Sequence, residues 1–364
     1  MTSATCKNLV KEIFMSTSEI KTYKNCRRQW EFTSRNRMMV KPRITPKALA
    51  LGTLWHEALA SLYSGANYDA VWALVQQEMT ENDTALKAML PQYYEQVLKQ
   101  DMQDWKVLEV EHKFYFPTGL SRLSDDTAVC PKCDRVFDSN VKALWPQHSE
   151  EFPDILGRCM DCNVAIVPQI LEVHMTGAID LIVYDESNDQ VLGIEHKTCA
   201  KFRDDVFGHL DEQPRVYFEA LNHYIENLKG KRNSKGDLII PKTAINGGIV
   251  ISETKKLLRD FQHKRTVYSY YALDHAAFLS AWRNELKSCA ASIMLDRAEV
   301  PTPNYFSCQM CDFKGVCKVY GHAPISKNQL LEDFSLEFEE RTVDYLDEKN
   351  KLFDSVIPSR KGVD

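Results

Sequence analysis

Three stretches of the chain alternate apolar and polar residues with a period of two: VLEVEHKFYF from Val107, VHMTGAIDLIVY from Val173 and VLGIEHKT from Val191. That is the repeat of strands that bury one or both faces in a sheet. Elsewhere the apolar positions follow helical spacing. Residues 16–31 read as a helix capped by Ser16 or Ser18, with Ile20, Tyr23 and Trp30 among its apolar positions. Pro42 and Pro46 interrupt the chain beyond it, and an Ala- and Leu-rich helix is predicted from Pro46 to Tyr63. Further helical patterns fill residues 67–104. A helix is expected over 211–228, strands between 238 and 270 after the charged turn KGKRNSKGD, and a helix over 274–295.

Helices around a few strands predict an α/β architecture. The chain is expected to divide into a helical part at 1–63, a helical insertion at 64–106 and a core formed by 107–118 with 169–300. Residues 119–168 are irregular and too polar for a core; residues 301–323 hold a cysteine segment. The last stretch, 324–364, is expected to be an acidic amphipathic helix and tail, either a clasp or a docking element for a partner. A chain of 364 residues is long enough for one sizeable core plus a module. Its 44% hydrophobic and 26% charged residues are those of a globular protein rather than a disordered one.

No apolar run approaches membrane-span length and no apolar signal core opens the chain, so no membrane association and a cytoplasmic location, in a bacterial or phage-infected cell, are expected. The net charge of −6 argues against indiscriminate coating of nucleic acid, but the charge is uneven. Residues 1–47 carry eleven Lys or Arg against three acidic residues, and 331–350 carry eight acidic against two basic. The basic stretch is either a DNA-facing surface or a solvated face.

Eleven cysteines without a secretion signal suggest metal ligation rather than disulfides. Cys130 and Cys133 form one C-x2-C pair and, after 25 intervening residues, Cys159 and Cys162 form another, which is a zinc-ribbon or knuckle pattern for Zn²⁺. Two metal-free surface turns are the alternative. Cys308, Cys311 and Cys317 form C-x2-C-x5-C, one ligand short of a four-coordinate site. Thiolates suit zinc or iron-sulfur, and spacing does not choose between them.

The segment GAIDLIVYDESNDQVLGIEHK carries the candidate chemistry. If Ser187 and Asn188 form the tip of a hairpin, facing positions sum to 375 and Asp180 lies opposite Glu195. Two carboxylates so placed repel one another unless a cation lies between them. Lys197 shares the face of Glu195, while Ile179, Leu181, Val183, Leu192 and Ile194 occupy the other. Two acids and an ammonium make a Mg²⁺ site with a group able to orient or deprotonate water. From this pattern alone, a surface hairpin with a Glu195–Lys197 ion pair stands beside that reading.

Taken together, YKNCRRQW, GTLWHEAL, GAIDLI, IEHK and QPRVY resemble the ordered motifs of RecB-like nucleases of the PD-(D/E)XK superfamily. That group includes nuclease domains of recombination helicase-nucleases, CRISPR-associated adaptation nucleases and phage relatives. The resemblance covers roughly residues 16–320 outside the insertions, and it implies a restriction-endonuclease-like core, a central mixed sheet flanked by helices. It also implies that Asp180 and Glu195 bind Mg²⁺ or Mn²⁺, that His196 offers its backbone carbonyl, that His56 joins the metal shell and that Lys197 stabilises developing charge. Gln213 and Tyr217, spaced i,i+4, resemble residues that hold a phosphate or the attacking water. Glu111 is a weaker candidate for an outer carboxylate.

A subset of these nucleases holds a [4Fe-4S] cluster on one upstream and three downstream cysteines, a layout that Cys26 with Cys308, Cys311 and Cys317 matches. The expected activity is hydrolysis of DNA, single-stranded or with free ends, by an exonuclease in replication, recombination or repair. A structure-specific endonuclease and a DNA-binding assembly subunit with an inactive site are the alternatives. No P-loop of the GxxxxGK[ST] kind is visible, so unwinding is expected from a partner such as a helicase, with recombinases and replication proteins as further partners.

Overall fold

The computed structural model describes residues 10–44, 47–78, 84–122, 128–129, 136–137, 157–158, 162, 165–168, 170–204, 210–256, 260–294, 301–302 and 305–341. The chain opens with β1 (Val10–Ser16), α1 (Thr17–Asn25), α2 (Arg27–Thr33) and β2 (Val40–Pro42). There follow α3 (Lys47–Tyr63), α4 (Tyr68–Glu78), α5 (Thr84–Tyr93), a π turn (Tyr94–Leu98) and α6 (Lys99–Asp104). Next come β3 (Trp105–Arg122), β4 (Ala128–Val129), β5 (Val136–Phe137), β6 (Gly157–Arg158), β7 (Ala165–Pro168), β8 (Ile170–Asp185) and β9 (Gln190–Cys199). The rest comprises α7 (Glu212–Leu228), β10 (Ile245–Lys255), β11 (His263–Tyr268), α8 (Ala272–Met294), α9 (Tyr305–Gln309), α10 (Lys314–Tyr320), α11 (Lys327–Asp333) and β12 (Phe338–Glu340).

These elements form two compact units. Of the described residues, one comprises those within 10–43, 115–176 and 276–341, and the other those within 44–114 and 177–275. Among the described residues, no helix is long and apolar enough to cross a membrane.

The second unit is built on a mixed sheet. β9 pairs antiparallel with the end of β8 and parallel with β10, and β11 returns antiparallel to β10. A parallel step needs a crossover, which α7 provides. One face of these strands buries Leu181, Val183, Leu192, Ile194 and Val250 in a single core with Trp55, Ala58, Leu59 and Leu62 of α3. Those four α3 positions follow i, i+3, i+4, i+7, the stripe of a helix packed on a sheet. The helices over 68–104 feed the same core through Val71, Val75, Leu86, Leu90, Tyr93 and Val97. Gly248, at φ +116, follows a register shift in β10, and a Cβ there would lie 2.6 Å from the Tyr268 carbonyl oxygen. Glycine is required where backbone approaches backbone this closely.

In the first unit, β1 runs parallel to the start of β8, and α1 begins at Ser16. Ser16 and Glu19 form a reciprocal capping box. The helix predicted over 16–31 is broken at Cys26, whose extended backbone (φ −157, ψ 108) ends α1 and starts α2.

One further expectation is corrected in this unit. Residues 119–168 are not wholly irregular: β3 continues to Arg122, and β4 to β7 form a small antiparallel sheet in the order β5-β4-β7-β6. Beyond Pro324 the described residues form the short α11 and then β12, which pairs with β2. The reason is aromatic burial: Phe338 stacks on Phe313 at 4.6 Å and shares a core with Phe32, Val40, Val316 and Leu330. Pairing also sets Glu339 beside Lys41 and Arg43, at 3.5 and 3.1 Å, so part of the basic N-terminal stretch is neutralised within the chain. The tail from 342 onward lies outside the described residues.

Candidate active site

The β8–β9 hairpin sets the frame of the site. Its register pairs Leu181 with Ile194, Val183 with Leu192 and Asp185 with Gln190, so facing positions sum to 375 as expected. The tip is held by the Asp185 carboxylate, which accepts from the backbone N–H groups of Ser187 and Asn188 at 3.0 and 3.2 Å. One step inward from the Leu181–Ile194 pair, Asp180 Oδ2 accepts the His196 backbone N–H at 2.8 Å. Asp180, Glu195 and His196 are all buried.

Helices deliver the remaining groups. From α3, next to the core residue Trp55, His56 places Nδ1 3.0 Å from Asp180 Oδ2 without the alignment of a hydrogen bond. The first turn of α7 is capped by Asp211, which accepts the Gln213 backbone N–H at 3.2 Å and is itself tied to Arg203 at 2.9 Å. Gln213 Nε2 then reaches Glu195 Oε1 at 2.9 Å and the Tyr217 hydroxyl oxygen at 3.0 Å. Lys197 Nζ donates to the same Glu195 Oε1. Glu195 Oε2 is buried with no hydrogen-bond partner.

Burial and mutual charge set the protonation of this cluster. Burial would raise the Asp180 carboxyl, but the charges of His56 and Lys197 outweigh it and hold the group well below the usual carboxylate range. Glu195 is pushed the other way, first by burial and then by the charge of Asp180. Burial by itself would lower both His56 and Lys197; the neighbouring carboxylates reverse this and raise both. Lys197 is therefore a cation, suited to neutralising charge rather than to taking a proton. Burial and the charge of Glu195 raise the Tyr217 hydroxyl, which stays neutral.

Glu111 is brought closer to this centre than its sequence suggested. It lies in β3 with φ 51, a left-handed conformation that non-glycine residues rarely adopt. Its carboxylate, His56 and Asp180 offer ligand atoms that all lie within 4.8 Å of one another. Strand alternation carries no trace of this, because the left-handed turn of the backbone at Glu111, within a continuous β3, is a tertiary feature. Glu195 stands beside this triad, with Oε1 engaged by Lys197 and Gln213. Carboxylate oxygens, an imidazole and the orphaned Glu195 Oε2 fit a divalent cation.

Behind the hairpin, the His196 ring is fixed by groups the sequence did not single out. It stacks on Tyr63 at 5.6 Å, and its Nδ1 lies 3.5 Å from the Tyr93 hydroxyl. Burial pushes its pKa down to about 3, so the ring is neutral. Tyr63 bonds Tyr93 at 3.1 Å and Asp101 at 2.5 Å, and Asp101 takes both terminal nitrogens of Arg265 at 2.7 and 2.5 Å. These partners are dispersed in sequence, and only the helix pattern around Tyr63, Tyr93 and Asp101 was visible.

In the first unit Cys26, Cys308, Cys311 and Cys317 are neighbours, although nearly three hundred residues separate Cys26 from the others. Burial chiefly, with the thiols of Cys26 and Cys317, pushes Cys311 up to about 11. Cys317 is raised by burial and by Cys26 and Cys308, against the opposing charge of Arg28. The four sulfurs do not gather at the spacing of ligands around one ion. Of the other tetrad only Cys162 is described; Cys130, Cys133 and Cys159 lie outside the described residues.

An α/β core with a mixed sheet, carrying carboxylates and a histidine grouped for a divalent cation beside an E-x-K strand, is consistent with a metal-dependent nuclease. The comparison with known families agrees: the PD-(D/E)XK nuclease superfamily model matches residues 15–318. The chain belongs to that superfamily. No curated protein sequence matches it.

Proposed function

We propose that the protein is a Mg²⁺- or Mn²⁺-dependent deoxyribonuclease that trims single-stranded or free DNA ends in replication, recombination or repair. The observation that carries this reading is the buried, unpartnered Glu195 Oε2 next to the His56–Glu111–Asp180 group. A buried carboxylate oxygen without a donor is costly, and a cation relieves that cost. His56, Glu111, Asp180 and Glu195 would hold the ion, joined by the His196 carbonyl, and the ion would supply Lewis acidity toward a phosphoryl oxygen. Lys197 neutralises charge developing on the phosphate, and Gln213 orients Glu195 while keeping Tyr217 aimed at the same point. The Asp180–His196 backbone bond locks the register of the two acids, so they meet the phosphate already in place.

Two structural metal groups belong to the same reading. Cys26, Cys308, Cys311 and Cys317 would carry a [4Fe-4S] cluster, because a cubane seats each thiolate on a different iron and needs no convergence on one ion. The second tetrad would carry Zn²⁺. Cys130 and Cys133 fall in sequence between the paired strands β4 and β5, and Cys159 and Cys162 between the paired strands β6 and β7. A C-x2-C lying in sequence between the strands of each pair is the layout of a zinc ribbon.

The test is cleavage of end-labelled linear and of circular DNA, single- and double-stranded, by anaerobically purified protein with Mg²⁺ or Mn²⁺ and a Glu195→Ala control. Metal-dependent cutting that needs a free end and is lost in the variant is expected. Cutting of circles makes the protein an endonuclease, and cutting retained in the variant overturns the catalytic assignment.

A further inference from the structure

We propose that the solvent-facing side of the β1–β8 strand pair carries a separate cation site, formed by Glu12, Glu172 and His174 and suited to Zn²⁺, with Mn²⁺ as the weaker fit. The parallel register sets Glu12 beside Glu172 and Phe14 beside His174. With a period of two, all four side chains leave one face, while Ile13, Met15, Val173 and Met175 are buried on the other. Two carboxylates on adjacent strands repel unless something positive joins them. Here the ligand atoms of Glu12, Glu172 and His174 all lie within 4.8 Å of one another.

His174 supplies the independent observation. It is 8% exposed, and neither ring nitrogen has a hydrogen-bond partner. A buried imidazole almost always has at least one. Its Nε2 lies 3.7 Å from Glu172 Oε2, beyond hydrogen-bond reach, so a proton shared between the two does not account for the arrangement. The ring is pinned flat against Phe14, with centroids 4.8 Å apart and planes 18° apart, which holds its nitrogens toward the carboxylates.

One imidazole and two carboxylates form a borderline donor set, better matched to Zn²⁺ than to Mg²⁺ or Ca²⁺. Glu12 is exposed, so water can complete the coordination. Among the described residues β1 pairs only with β8, and an ion bridging Glu12 to Glu172 and His174 would pin this edge strand to its one neighbour.

The test uses the full chain, stripped with chelator and dialysed against Zn²⁺, with bound zinc counted by elemental analysis and amide exchange followed over residues 10–16. His174→Gln and Glu12→Gln are each expected to bind one zinc fewer than the parent. Asp180→Asn is expected to retain that zinc, which separates this site from the proposed catalytic one. Zinc should slow exchange in β1 at least tenfold in the parent and not in the two variants. Glu12 is exposed and its exchange for Gln spares the fold, so the comparison survives a poorly folded His174 variant. Equal zinc content in the parent and Glu12→Gln, with unchanged exchange in β1, overturns the proposal.

Discussion

Replacing Asp101 with alanine probes how the second unit holds the hairpin of its proposed active site. Asp101 is 4% exposed and accepts two hydrogen bonds from Arg265 and one from Tyr63. Its loss leaves a guanidinium whose side chain is only 25% exposed, stacked over Trp105 at 4.8 Å with no carboxylate beside it. Breaking one partner of a buried pair costs about 3–5 kcal/mol. Partial access of water to Arg265 reduces this to about 2–3 kcal/mol. The damage should spread along Tyr63 and Tyr93 to the His196 ring, and from its backbone N–H to Asp180. The expected kinetic signature is a lower kcat at nearly unchanged KM, since the groups that align the acids are loosened while the surface that binds DNA is untouched. Urea unfolding by tryptophan fluorescence measures the stability, and steady-state cleavage the rate. A double-mutant cycle with Arg265→Met isolates the pair. A loss under about 1 kcal/mol, or an equal loss in the Arg265→Met background, would refute the argument.

Three other outcomes rest on single features. Glu111→Gly should be more stable than Glu111→Ala by about 1 kcal/mol, because only glycine tolerates φ 51 without cost, while both weaken Mn²⁺ binding; equal stabilities in thermal melts would remove the strain. Glu219 is lowered chiefly by its hydrogen bond with His275 at 2.9 Å, so its contribution is complete above an unfolded carboxyl pKa of about 4.3 and is lost as pH falls through the lower folded value. Glu219→Gln should flatten the acid limb of the stability curve, and an unchanged limb would contradict this. Cys26→Ser should bleach the visible absorbance of anaerobic protein and lower its iron content; unchanged iron would remove Cys26 from the ligand set.

The sequence by itself determined the features that depend on local periodicity. The alternation in GAIDLIVY and VLGIEHKT predicts the hairpin, and the turn at its tip sets a register in which Leu181 faces Ile194 and Asp180 comes within one step of Glu195. Helical spacing likewise gives α3 with His56 beside its core stripe, and α7 with Gln213 and Tyr217 on one face. Strand and helix repeats are consequences of backbone geometry, so they can be read without a partner in view. The tertiary structure decided the features that need residues far apart in sequence to meet. It turns the backbone of β3 left-handed at Glu111, where that carboxylate meets His56, and it breaks a continuous helix at Cys26 near Cys311 and Cys317. It turns an acidic segment into a strand because Phe338 has an aromatic core to enter, and it places Asp101 and Arg265 behind His196. Each of these is decided by burial and pairing between distant segments, whose free energy exists only after the chain has closed on itself.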